Sequence, residues 1–337
     1  MSIVKASIAC AVSAALVGTA GIAGAQGSQS GNKTIATVVK ITGETWFNRM
    51  EDGVKAFGAS TPGVTTAQYG PPKADAALQT KIIDDLIAKK VDAITVVPMD
   101  PSTLEGVLKR AMDRGIKVVT HEADNAKNTH VDIEAFDNKA FGARFNERLA
   151  KCMGGAGKWT SFVGSLGSLT HVQWADGGAE NAKKYPKMVL VDAKNESFND
   201  ANKAYEKAKE ILRKHPDIKG FQGGAAIDVL GIGRAIEEAG LQGKICVIGL
   251  GLPKDSGKYL ESGAIQGIGF WDPQEAGVVM NKVAKMLLDG QQITDGMDLG
   301  VPGYHKVKVK KGPGKGIIVV GEAWIDVDKS NYKNYPF

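Results

Sequence analysis

The chain has 337 residues, 43% of them hydrophobic and 23% charged, with a formal net charge of +5. Those proportions exclude a disordered chain, and the length suits two domains of ~150 residues each. The positive excess is spread out except at Lys306, Lys308, Lys310, Lys311 and Lys315. The alternation Lys306-Val307-Lys308-Val309-Lys310 reads as a solvated strand face, so no nucleic-acid partner is expected.

The N-terminus carries a short basic start, Met1 to Lys5, then an apolar run from Ile8 to Ala23. Gly18 and Gly21 break the run, which falls short of the ~20 residues that span a bilayer. Ala23-Gly24-Ala25 supplies the small-residue pattern before a cut at Gln26. Residues 1–25 are therefore expected to be a secretory signal peptide, and the mature chain is expected to be exported. Cys10 follows Ser7-Ile8-Ala9, a poor lipobox, and stands too early for a lipoprotein cysteine.

From there strand-like and helix-like segments alternate. Ile35 to Val39 reads as a buried strand, followed by a helix from about Glu44 to Phe57. Val64 to Tyr69 is a second strand, and Asp75 to Lys89 places Leu78, Ile82, Ile83, Leu86 and Ile87 at helical spacing. A third strand at Ala93 to Val97, a helix from Thr103 to Asp113 and a strand at Lys117 to Thr120 complete one series. A second begins at Trp159 to Val163, with helices over 173–184, 202–214 and 229–238 and strands over 188–191, 220–222 and 245–248. Ala264 to Leu288 repeats strand then helix, and strand-like pieces follow at 306–310 and 316–320. Short β-branched runs between amphipathic helices indicate βαβ units and parallel sheets covered on both faces. Two such series imply two similar lobes.

Cys152 ends a helical pattern and Cys246 sits in an apolar strand, so two separate buried thiols are expected, in a compartment where a disulfide can form. Neither Cys-x-x-Cys nor His-x-x-x-His occurs, and no metal or cofactor is expected.

In open α/β sheets ligands bind beyond the carboxyl ends of the strands. Those ends are 40–47, 98–101, 121–124, 164–171, 223–228 and 250–253, and two facing lobes would bring them together in a hinge-closing cleft.

In this order the segments resemble the type I periplasmic binding proteins of ABC sugar importers. The resemblance is carried by Trp46-Phe47, by Asp92-Ala93-Ile94 running to Pro98, and by Gly115 to Thr120 leading to an acidic residue. Gly269-Phe270-Trp271-Asp272-Pro273 is similar to a stretch of the branch that binds rhamnose or the furanone signal autoinducer-2. The resemblance implies two doubly wound parallel-sheet lobes joined by a three-crossover hinge. It implies a first lobe of 30–134 plus 269–295, with Ala264 to Leu288 contributing a strand and a helix to it. The second lobe would be 135–268 plus 296–337. It also implies a periplasmic location, an inner-membrane permease as partner, a chemoreceptor as a further partner, and a monomer.

A sugar presents hydroxyls around apolar faces, so its site needs directional polar groups and flat rings. Trp46, Phe47 and Trp271 are candidate rings, each with a packing role as the alternative. Lys40 ends an apolar strand, where a charge needs a partner or a cleft, and it matches a ligand-binding Lys of the autoinducer-2 branch. Glu122 and Asp124 follow the fourth strand, where the family carries a sugar-binding carboxylate, and either can instead cap a turn. His171 both donates and accepts hydrogen bonds. Asn199 and Asp228 suit the cleft or a helix cap. Thr170 and His171 stand where the autoinducer-2 branch has Asp-Gln, and Gly224-Ala225-Ala226 replaces its Pro-x-Ala, so only Ala226 is retained. Those departures rank a rhamnose-like deoxyhexose first, other sugars or polyols next, and autoinducer-2 last.

A sugar-processing enzyme is the reading from another class. No Gly-x-Ser-x-Gly elbow, Walker A loop or Gly-x-Gly-x-x-Gly follows a strand. Glu122 and Asp124 share one loop and do not flank a glycosidic bond from two sides. A sugar-responsive regulator would carry a helix-turn-helix where the signal peptide stands. The expected function is solute capture, not catalysis.

Overall fold

The computed structural model describes residues 32–337, and the expected signal peptide lies outside the described residues. The first series forms β1 (Lys33–Val38), α1 (Thr45–Ser60), β2 (Val64–Tyr69), α2 (Ala76–Ala88), β3 (Ala93–Val96), α3 (Pro101–Asp113), β4 (Lys117–His121) and β5 (Val131–Glu134). The second forms α4 (Asn138–Met153), β6 (Ala156–Val163), α5 (Leu169–Ala182), β7 (Lys187–Leu190), β8 (Asn195–Glu196), α6 (Ala201–Lys214), β9 (Ile218–Gly223), α7 (Asp228–Glu238), β10 (Cys246–Leu250), α8 (Pro253–Ser262) and β11 (Gly267–Phe270). The tail adds α9 (Pro273–Leu288), β12 (Lys308–Lys311), β13 (Ile317–Val320) and β14 (Ile325–Val327).

Local chemistry sets the helix starts. Asp75 accepts hydrogen bonds from the N–H groups of Ala77 and Leu78, and Asp100 does the same for Ser102 and Thr103 ahead of Pro101. These are N-cap carboxylates followed by good helix formers. The central strands β3 and β10 are buried on both faces, which is why they read as near-continuous apolar runs rather than alternating ones.

One sheet runs β12-β13-β5-β4-β3-β1-β2 and the other β14-β11-β10-β9-β6-β7, with β8 paired to β6. All neighbours are parallel except β12 with β13 and β11 with β14. The chain passes between the sheets three times: after β5, after β11, and between β13 and β14. The doubly wound architecture with three crossovers is thus present.

Three strands sit in the sheet opposite to the expected one. β11 belongs to the second sheet, parallel to β10 with Ile248 opposite Gly267, because α8 returns the chain beside its own parent strand. Only α9 crosses, packing on α1, β3 and β4. Conversely β13 pairs in parallel with β5, Ile317 opposite Val131, and carries β12 with it into the first sheet. Of the tail beyond residue 296, only β14 pairs in the second sheet. Neither β5 nor the start of α4 stood out in sequence, since Val131-Asp132-Ile133-Glu134 places two carboxylates in a fully buried strand.

The cysteines also correct the expectation. Cys152 at the end of α4 and Cys246 at the start of β10 form a disulfide, with Cα atoms 6.0 Å apart. α4 packs directly on β10, so the two thiols that are remote in sequence share one face of the second lobe.

A candidate ligand-binding site between the lobes

Strand ends from both lobes meet in one cleft. The first lobe supplies Lys40, Ile41, Glu44, Trp46 and Phe47 from the β1–α1 segment and Glu122 from the end of β4. The second supplies His171 at the start of α5, Asn199 after β8, Ala226 after β9 and Leu250 at the end of β10. The cavity between them is about 30 Å³, water-sized, so the lobes are shut on a space that must widen to reach the ~300–1,000 Å³ of small-molecule sites. A larger hollow of about 440 Å³ lies beside α4 and β14, but it collects no residue of β1 to β4 or their loops.

The lobes are closed on each other. Gln173 of α5 donates through Nε2 to both carboxylate oxygens of Asp124, each at 3.0 Å. Thr45 of α1 donates to Asp255 of α8 at 3.2 Å, and Ser168 donates to the Met99 carbonyl at 3.4 Å.

Lys40 Nζ donates to Glu122 Oε2 in a buried ion pair that forms the polar floor of the first lobe. Burial alone pushes the Glu122 carboxyl up, but Lys40, His121 and His171 more than reverse it, holding the carboxyl below its ordinary value. The Glu122 backbone is left-handed at φ 60°, an uncommon conformation for a non-glycine residue and a strained one. Across the cleft, His171 Nδ1 accepts the N–H of Gly164 at 3.0 Å. Burial, then the Lys40 charge, lowers the imidazole to about 3, so it is neutral and carries its proton on Nε2. A Cβ at Gly164 would stand 2.5 Å from Asn199 Oδ1 and 2.8 Å from His171 Nδ1, so this glycine is what lets both side chains sit there. Glu44 is half-buried at the mouth, and burial raises its carboxyl to about 7, with Lys40 opposing and Asp255 and Asp200 adding.

Seven sequence candidates therefore converge: Lys40, Trp46, Phe47, Glu122, His171, Asn199 and Ala226. Three candidates do not line the space. Asp124 turns to Gln173 of the other lobe. Asp228 is fully buried beneath its own loop, its Oδ2 accepting the N–H groups of Gly224 and Ala225 at 3.1 and 2.7 Å. Trp271 is buried in an aromatic cluster, 4.7 Å from Trp46 and 5.2 Å from Phe136 between ring centroids, and forms a hinge wall. Ile41, Glu44 and Leu250 went unnoticed individually, although the strand-end rule marks their loops. An acidic residue just before a helix reads as a cap, yet Glu44 makes no side-chain capping bond.

Two rings, a buried ion pair, a neutral imidazole and an amide suit a neutral, hydroxyl-rich molecule with apolar faces. Known proteins share this fold. A D-ribose/D-allose-binding protein of Pseudomonas aeruginosa is 28% identical over 225 residues, 64% of this chain and 69% of its own length. An ABC transporter solute-binding protein from Clostridium phytofermentas with bound L-rhamnose superposes with a TM-score of 0.82 at 20% identity, covering 90% of this chain and 98% of that one. LsrB from Clostridium saccharobutylicum, in complex with AI-2, gives 0.81 at 21% identity, covering 90% and 100%. The profile of the periplasmic binding protein domain matches residues 35–292, and the chain belongs to that family.

Proposed function

We propose that this protein is the periplasmic substrate-binding component of an ABC importer, and that it captures a small uncharged sugar or polyol by closing its two lobes. The observation that carries this is the convergence of the Lys40–Glu122 pair with His171, Asn199 and Ala226 from the opposite lobe. The open form holds ligand on one lobe, and closure adds the second lobe's hydrogen bonds and expels water. The closed surface is then what the permease in the inner membrane meets. Ligand shifts the equilibrium only by its differential affinity for the closed state. The chain acts as a monomeric binder after cleavage before Gln26, not as an enzyme, and a chemoreceptor is a second partner of the same closed form.

A rhamnose-like deoxyhexose is the favoured ligand. Autoinducer-2 is the second reading, favoured by Lys40 and Ala226, which both line the cleft. Thr170 and His171 weigh against it: Thr170 is buried away from the lining, and neutral His171 replaces an amide or acid. A thermal-shift screen of the chain from Gln26 onward, against monosaccharides, polyols and autoinducer-2, tests this. A stabilisation that grows with the concentration of one sugar supports transport and names the ligand. A response to autoinducer-2 alone replaces the sugar by the signal, and no response to any of them overturns the reading.

A further inference from the structure

We propose that Glu44 sets the charge selectivity of the cleft, admitting uncharged sugars and polyols and rejecting their carboxylate and phosphate forms. This rests on the sugar-binding reading above and goes further by assigning the residue that enforces neutrality.

The cleft has one lining cation, Lys40, and that charge is already matched by Glu122 at bonding distance. His171 adds no positive charge, because its Nδ1 accepts the Gly164 N–H and its ring is buried. Glu44 faces the same space, at the start of α1, without a side-chain capping bond to the helix it precedes. Two further carboxylates bear on it from the second lobe, Asp200 and Asp255. Asp200 caps α6 through the N–H groups of Asn202 and Lys203, and Asp255 accepts from Thr45. Among the described residues neither of these two, nor Glu44, is in an ion pair with a cation. Among the described residues Lys40 is the one cation acting on the Glu44 carboxyl. Glu44 is thus an unpaired carboxyl at the mouth of a neutralised floor, with Asp200 next to the lining residue Asn199 and Asp255 bonded to the neighbouring Thr45. A ligand anion entering the mouth meets like charge where water is partly excluded and screening is weak, whereas a hydroxyl meets an acceptor. The raised titration of Glu44 comes from burial first, with Lys40 opposing and Asp255 and Asp200 adding less.

The test is isothermal titration calorimetry at about pH 8, where Glu44 is ionised, with three matched pairs. These are D-glucose and D-glucuronate, D-galactose and D-galacturonate, and D-ribose and ribose 5-phosphate. The variant is Glu44→Gln, which keeps size and removes charge, and its melting temperature confirms the fold. In the wild type the uncharged member of the pair that binds is expected to be at least ~100-fold tighter. In Glu44→Gln that gap narrows about tenfold, through tighter binding of the anion, with the uncharged member changed less than ~threefold. An unchanged gap, or equal binding of both members by the wild type, overturns the inference while leaving the sugar reading intact. If no uncharged member binds and L-rhamnose and the polyols also fail, the sugar reading falls and this inference with it.

Discussion

The buried pair Lys40–Glu122 shows how a single residue's environment can be legible in sequence while its role is only half legible. A charge at the end of the apolar run Ile35 to Val39 needs a partner or a cleft, and it has both. What the sequence cannot supply is which acid answers it. Glu122 and Asp124 are two residues apart, and the left-handed Glu122 backbone sends them to different work, one to Lys40 and one to Gln173. Removing one partner of a buried pair leaves an uncompensated charge, which costs ~3–5 kcal/mol. Lys40→Met is therefore expected to lower unfolding stability by about that much as well as to abolish ligand binding. The double variant Lys40→Met with Glu122→Gln recovers most of the stability and none of the binding. Urea unfolding and calorimetry on the three proteins check this, and a double variant as unstable as the single one would show that packing, not charge, is at stake. The sign with pH is that of a lowered carboxyl: the pair's contribution is present above the ordinary value of 4.5 and is lost as pH falls through the lower folded value.

Among the elements, β5 and α4 were the least legible and carry two of the fold's specific devices. A strand of four residues with two acids gives no apolar signal, yet all four are buried. Asp132 is raised to about 7, by burial first and by Asp124 as well, against the Thr120 hydroxyl that donates to it at 2.6 Å. Glu134 is raised further, by burial and then by Asp132 and Asp124, while Asn138 Nδ2 at the start of α4 donates to it at 3.0 Å. A carboxyl raised in the folded state makes folding take up protons. Its contribution is complete below the ordinary value of 3.8 for Asp132 and is lost as pH rises toward about 7. The wild type is expected to lose urea stability between about pH 4 and about pH 7, and Glu134→Gln to lose clearly less. An equal loss in both proteins would remove Glu134 from the account. The other device is the disulfide at the far end of α4. It joins residues 94 apart, so breaking it restores the chain entropy of a long unfolded loop, about 4.7 kcal/mol on the loop-closure model. Reduction, or Cys152→Ala with Cys246→Ala, is expected to lower the urea midpoint accordingly while leaving ligand stoichiometry at one. No spacing rule in the sequence points to the pairing, because it depends on α4 lying across β10.

At the scale of the whole molecule, the three crossovers are tied to one another by aromatic side chains, and the cleft is tied shut by polar ones. Phe136, Trp271 and Trp324 come one from each crossover, with Phe136 5.2 Å from Trp271 and 6.0 Å from Trp324. The alternation of strands and helices announced two lobes, but the exchange of β11 and β13 between sheets depends on which edge a returning chain meets. That is tertiary information: the residues gave strand-like pieces in the tail, and only the family resemblance assigned the tail to a lobe. Since Trp271 is walled into the hinge, ligand affinity rests on the lining residues and on the equilibrium between open and closed lobes. Asp124 acts on the second of these. Its bidentate bond from Gln173 exists only when the lobes meet, and it lies outside the lining. Apparent affinity falls with the fraction of closed-competent protein, so loosening the latch weakens binding without touching ligand. Asp124→Ala is expected to raise the apparent Kd about three- to tenfold and to enlarge the radius of gyration of the ligand-free protein in solution scattering. A direct ligand contact would weaken binding by a similar amount with the scattering unchanged, so the two measurements together decide between a latch and a contact.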